Sequence, residues 1–170
     1  MIYIKLFEEY INSQPQEIIA YHSTNDIITN FNFKDINSKA GSSTRIDAIF
    51  FSNTPQTSWG ENVYKVKIIS KTPAIFDMST SRFDSMSVQE AFDACLRGDT
   101  SYLIEDLIEY KDMDEDEASE LVDFWSYNLD LIILKNCNYA KHTIEYIIPD
   151  SEFFLNKGHE AKIIILEKIS

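Results

Sequence analysis

Glycine and proline are scarce in this chain, four of each in 170 residues. That excludes flexible and proline-stiffened linkers, and no internal repeat divides the sequence, so a single domain over 1–170 is expected. Cysteine is scarcer still. Cys95 and Cys137 lie in apolar contexts without metal-ligand spacing, too sparse for a disulfide framework, and are expected as reduced core residues. Arginine is confined to Arg45, Arg82 and Arg97, and Lys plus Arg total 15 against 28 Asp plus Glu, a net charge of −13. A nucleic-acid partner is disfavoured, because phosphates are held by surplus cations. The three histidines, His22, His142 and His159, have no paired spacing, so no metal site is expected. No run of about 18 apolar residues occurs, nor an N-terminal apolar run of signal-peptide type. The expectation is a soluble cytoplasmic protein with no membrane segment.

What is present is a globular composition, 44% hydrophobic and 13% aromatic. Ile4, Phe7 and Ile11 fall at helical spacing, giving a short amphipathic helix within 1–14. Glu17 to Ser23 reads as a first strand ending at His22, with Thr24 or Asn25 placed to cap a helix through Phe31. Phe33 to Asp47 reads as a loop. Strands are expected at Ala48 to Ser52, Asn62 to Ser70 and Ala74 to Asp77, with a helical turn at Thr57 to Trp59 between the first two. The region 78–128 changes to helical character. Ser87-Val88-Gln89-Glu90 has the capping-box pattern for a helix closed by Gly98, Tyr102 to Tyr110 continues as a second helix, and Asp114 to Glu117 opens a third. The acidic run Asp112 to Glu117 reads as a solvated first turn stabilised by the helix dipole. Strands return at Leu129 to Lys135, Thr143 to Ile148 and Ala161 to Leu166. Strands, a helical insertion and strands again indicate α+β with a mainly antiparallel sheet.

Glu145 is the residue that calls for explanation. It interrupts the apolar run Ile144, Tyr146, Ile147 and Ile148, and a buried charge is costly unless something pairs with it or uses it. A salt-bridged strand-end glutamate and a catalytic carboxylate in a cleft are the two readings the residues allow.

Three segments in order resemble the ADP-ribosyltransferase fold, in the histidine–tyrosine–glutamate branch that includes diphtheria toxin and the poly(ADP-ribose) polymerases. Ala20-Tyr21-His22-Ser23-Thr24 resembles the strand ending in His-Gly-Ser or His-Gly-Thr. Ala48-Ile49-Phe50-Phe51-Ser52-Asn53 is similar to the Gly-Ile-Tyr-Phe strand, with Ser58 following where the family has a serine and a short helix. Ile144-Glu145-Tyr146-Ile147-Ile148-Pro149-Asp150 is similar to the segment carrying the catalytic glutamate. Leu129 to Asn136 looks like a strand preceding that glutamate in phage and mobile-element members, and the first residues resemble the prohead-targeting helix of tailed-phage proteins. Glu152-Phe153-Phe154 and the last strand sit where the family has its closing strands.

The resemblance implies a split antiparallel sheet with a helical insertion, and a mono-ADP-ribosyltransferase using NAD as substrate to modify a macromolecular acceptor, a protein, as a phage- or toxin-type effector. It implies that Glu145 binds a hydroxyl of the nicotinamide ribose and stabilises the oxocarbenium-like charge, and that His22 bonds a ribose hydroxyl. It also implies that Phe50 stacks on the nicotinamide, with Tyr64 as a second aromatic wall, that the backbone of Ser23 holds the nicotinamide carboxamide with help from the Ser58 hydroxyl, and that Thr24 belongs to the same binding set. Three departures stand out. Ser23 replaces the family's glycine and Phe50 its tyrosine, while Thr143 stands where arginine-modifying members carry glutamate or glutamine, which disfavours arginine as acceptor. The pyrophosphate would need Lys39, one of the three arginines or backbone amides. An inactive NAD-binding or protein-interaction module on the same fold is the alternative, and a structural α+β protein whose acidic helical insertion binds a partner is the third. RNA 2′-phosphotransferases share the fold but need a cationic phosphate cleft.

Overall fold

Runs of β-branched and aromatic residues with period two set the sheet, and helical spacing of apolar residues between them sets the layer that covers it. The computed structural model describes residues 14–31, 48–79, 85–137, 144–149 and 161–170. The strands are β1 (Gln16–Thr24), β2 (Ala48–Ser52), β3 (Asn62–Ser70), β4 (Pro73–Asp77), β5 (Leu131–Lys135), β6 (Ile144–Pro149) and β7 (Lys162–Lys168). The helices are α1 (Ser85–Leu96), α2 (Ser101–Lys111) and α3 (Glu115–Asn128), and a single 3-10 turn spans Thr57–Trp59. The protein is α+β, with the seven described strands in the order β4-β5-β6-β2-β1-β3-β7.

Every neighbouring pair is antiparallel except β4 and β5. That exception follows from the connection, since the three helices occupy the crossover from β4 to β5 and a parallel pair needs such a crossover. The ladders differ greatly in length. β1 and β3 are registered over nine pairs, from Gln16↔Ser70 to Thr24↔Asn62, whereas β1 and β2 meet at one, Tyr21↔Ser52. The sheet is therefore nearly divided along the β1/β2 seam.

Its two faces carry separate cores. On one, Ala74, Phe76, Ile132, Leu134 and Ile147 pack with Val88, Phe92, Leu103, Leu107, Val122 and Trp125 of the helices. Phe76, Phe92 and Trp125 pack edge-to-face and tilted with ring centroids 5.7 to 5.9 Å apart, and burial of each large apolar side chain contributes about 1.5–3 kcal/mol. Lys111 of α2 ties this layer to the sheet by donating to the Ile75 carbonyl at 2.7 Å while its ammonium lies 4.7 Å from the Phe76 ring centroid. On the other face, Ala20, Ile49, Phe51, Tyr64, Val66, Ile68, Leu131, Ile133, Tyr146 and Ile148 cluster.

Caps end the helices largely as the sequence indicates. Asp114 accepts from the Glu117 amide at 2.8 Å at the start of α3, and Gly98 follows α1 with a positive φ of 91°. Three expectations are corrected. Residues 25–31 form no helix: Thr24 Oγ1 accepts from the Asp26 amide at 3.1 Å in a local turn, and Asn25 Oδ1 accepts from the distant Glu61 amide at 3.2 Å. Both side chains are thus spent on the turn instead of a cap. α1 begins at Ser85, so Ser87 lies inside it and is not its cap. Leu129 and Asp130 precede β5 instead of belonging to it. Asp130 instead accepts from Ser70 Oγ at 2.6 Å and from the amides of Lys71 and Thr72 at 2.6 and 3.2 Å, holding the β3–β4 turn. Burial raises its pKa in spite of these bonds.

Both cysteines are free, Cys137 buried and Cys95 half-buried with its thiol pushed up to about 12 by burial and by Asp99. Among the described residues no helix is long and apolar enough to cross a membrane. The expected N-terminal helix, the Phe33 to Asp47 loop, Glu152-Phe153-Phe154, Lys39, Arg45, Arg82, His142, Thr143 and His159 lie outside the described residues.

Candidate functional site

The three strands that carry His22, Phe50 and Glu145 lie side by side as β1, β2 and β6. Ser52 of β2 links them, since it is opposite Tyr21 of β1 on one edge and opposite Glu145 of β6 on the other. Beyond the Tyr21↔Ser52 pair the β1/β2 ladder opens. There the His22 ring takes the place of a backbone partner, with Nδ1 2.8 Å from the Phe50 carbonyl.

That bond fixes the tautomer, because a carbonyl only accepts: Nδ1 carries the proton, and in the neutral ring Nε2 is left as an acceptor. His22 is 8% exposed, and its pKa is lowered by burial, partly opposed by the bond to Phe50. Phe31 and Phe51 enclose it, with centroids at 5.3 and 5.4 Å. Nε2 is buried and has no partner among the described residues. A neutral, apolar-walled imidazole with a sealed acceptor suits a hydroxyl donor.

Glu145 is 6% exposed on β6, opposite Ser52 and Leu134. Strand alternation puts Glu145, Ile147, Leu134, Ser52 and Phe50 on one face, the face covered by the helices. Phe50 is half-buried against that core. Asn53 secures the neighbouring end of β6, accepting from the Ile144 amide through Oδ1 at 3.1 Å while its own amide donates to the Ile144 carbonyl at 3.1 Å.

Phe50 and Glu145 thus share a face, and His22 does not share it. Its ring packs against Phe51 on the opposite side and reaches Phe50 through that residue's backbone carbonyl. Tyr64, opposite His22 in register, lies in that same layer, 2% exposed, with its hydroxyl accepting from the Ile28 amide at 2.8 Å. It anchors the segment after β1 over His22. Thr24 Oγ1 is engaged with Asp26, and Ser58 is exposed on the 3-10 turn. Ser23 is half-buried, and its hydroxyl oxygen is sealed with no partner among the described residues.

Two residues that position this region carry little sequence signal. Ser52 is 1% exposed and donates to the Thr54 carbonyl at 2.7 Å, closing the end of β2. Gly60, just after the 3-10 turn, lies so close to β1 that a Cβ there would be 2.4 Å from the Thr24 carbonyl carbon. Its place after Ser58 and Trp59 in a glycine-poor chain is the one hint available. A separate cleft of about 680 Å³ is lined by Glu90 and Asp93 of α1, Arg97 of the turn after it, and Tyr102 and Asp106 of α2. Burial, Glu109 and Glu105 push the Asp106 carboxyl up to about 6. Among the described residues no group of three or more His, Cys, Asp or Glu could hold a metal ion.

No protein-family model matches the chain, and no curated protein matches it. Among solved structures, one described as the crystal structure of an anti-CRISPR protein aligns with a TM-score of 0.39 and 14% identity, covering 91% of this chain and 96% of that one. Likeness at that level carries no argument about fold family or activity.

Proposed function

We propose that this chain is an NAD-dependent mono-ADP-ribosyltransferase with an ADP-ribosyltransferase-like split sheet, modifying a protein acceptor. The observation that carries the proposal is a buried carboxylate, Glu145, on the strand next to β2, one register pair from the seam where β1 and β2 separate and the neutral His22 stands. In support, the strands that carry the three motif segments, β1, β2 and β6, are neighbours in the sheet.

In the reaction the glycosidic bond between nicotinamide and ribose breaks, and its electron pair leaves with nicotinamide. The acceptor's nucleophile bonds to the anomeric carbon and releases its proton. Glu145 would hold the ribose hydroxyl and stabilise the positive charge that builds on the sugar, since a preorganised carboxylate shielded from water does so far better than solvent. Phe50, on the same face, would supply the stacking surface, and its missing hydroxyl leaves that surface intact. Nε2 of His22 would accept from a ribose hydroxyl.

Incubation with NAD labelled in the adenylate or nicotinamide portion tests this. Wild type should release nicotinamide and label an acceptor, and Glu145→Gln should lower both by about a hundredfold or more, about 2.7 kcal/mol. No release and no transfer by wild type, or equal release by Glu145→Gln, would overturn it.

A non-catalytic NAD-binding module on the same fold is the second reading. One observation counts against the carried-over catalytic roles: the His22 ring belongs to the face opposite Phe50 and Glu145. Binding of NAD without nicotinamide release would establish that reading in place of the first.

A further inference from the structure

Residues 27–31 lie over His22 with few tethers of their own. Among the described residues they make one hydrogen bond, from the Ile28 amide to the Tyr64 hydroxyl at 2.8 Å. The Phe31 ring meets the His22 ring edge-to-face at 5.3 Å and lies tilted against Phe51 at 5.5 Å, while Ile27 is exposed. The chain just before them is firmer, because the Asn25 side chain accepts from the Glu61 amide and the Asn25 carbonyl accepts from the Asn62 side chain. Segments with few backbone bonds and little buried surface open at the smallest free-energy cost in a fold.

What these residues cover is a histidine with no room for a second proton. Nδ1–H is engaged by the Phe50 carbonyl, and Nε2 is sealed with no partner among the described residues. A proton on Nε2 would place a cation and an unsatisfied N–H in that space. The side chains that face it are Phe51 of β2, Tyr64 of β3 and Phe31, with no carboxylate among them, and Asp26 near the hinge is exposed. Water can reach the cation by two routes. Parting β1 from β3 breaks a ladder of nine registered pairs, whereas lifting residues 27–31 breaks one hydrogen bond and unpacks one ring. We infer that residues 27–31 are an acid-released strap, hinged at Asn25, which protonation of His22 lifts off His22 and Phe51 while the rest of the sheet stays intact. Burial, the main influence on the His22 pKa, is what opening relieves. The release does not depend on the NAD reading.

Backbone amide exchange read by mass spectrometry from neutral to acid pH, corrected for the intrinsic pH dependence of exchange, tests this in wild type, His22→Gln and Tyr64→Phe. In wild type, protection at 27–31 should fall by about tenfold for each pH unit below 6.5 until the folded-state pKa is passed, with β3 amides unchanged. His22→Gln keeps a donor for the Phe50 carbonyl but takes up no proton, so its strap should not respond to pH. Tyr64→Phe removes the tether, so its strap should be about tenfold more open at neutral pH and should release at a higher pH than wild type. Nitrogen NMR of the wild-type His22 ring should show Nε2 gaining its proton over the same range, which decides the matter even where His22→Gln does not fold. Protection at 27–31 that ignores pH, falls together with β3, falls equally in His22→Gln, is unmoved in Tyr64→Phe or falls without protonation of Nε2 overturns the strap.

Discussion

The two edges of β1 are unlike. Along one, nine registered pairs bind it to β3, and along the other a single pair binds it to β2. The first edge satisfies its backbone from within the sheet. At the second, a histidine ring takes up the Phe50 carbonyl, and two polar atoms, His22 Nε2 and Ser23 Oγ, are sealed without partners among the described residues. A complete ladder leaves nothing for a ligand to bond, whereas an interrupted one gathers polar groups in a place that water does not reach. The difference puts unpartnered polar atoms at the seam and a fully paired backbone at the β1–β3 half.

The largest effect on stability should come from the well-bonded half. Asp130→Ala removes the acceptor of the Ser70 hydroxyl and of two backbone amides at the β3–β4 turn, and should cost about 3 kcal/mol, read from the denaturant midpoint. A loss under about 1 kcal/mol would mean that the turn is held by its backbone alone. Gly60→Ala comes next and acts at the seam. The added Cβ would press on the Thr24 backbone at 2.4 Å, costing about 2 kcal/mol and shifting the 3-10 turn off the end of β1. Gly98→Ala is the control, because its Cβ would meet nothing within 4 Å and only the φ of 91° opposes it, so about 1 kcal/mol is expected.

The smallest effect is a pH dependence. Burial holds the folded-state pKa of His22 below its ordinary value of 6.5, so near and below that pH the unfolded chain takes up more protons. The stability from keeping His22 neutral is complete above pH 6.5 and is lost as pH falls from there through the folded-state pKa. His22→Gln should flatten this limb when denaturant midpoints are compared across that range. An unchanged limb would assign the acid sensitivity to carboxylates elsewhere and remove His22 from the seam's energetics.

Much of the fold was legible in residue pattern. β2 and β3 have the expected bounds because alternating and β-branched runs there are closed by Asn53 to Pro55, by Gly60 and by Pro73. The cap of α3 was legible because Asp114 and Glu117 interact within one helical turn. The helix expected over 25–31 failed because the partner that claims Asn25, the Glu61 amide, is 36 residues away. Asp130 was hidden for the same reason, since the donors to its carboxylate lie 58 to 60 residues earlier in the chain.

The sequence by itself determined that the protein is α+β with a helical insertion between strands, and it singled out a carboxylate on an apolar strand. Those properties follow from local spacing. Tertiary structure alone decided that β1, β2 and β6 are neighbours, that their ladder opens after one pair, and that Phe50 and Glu145 face one side while His22 faces the other. Strand alternation fixes which residues of a strand point together, but only pairing with another strand fixes which face that is.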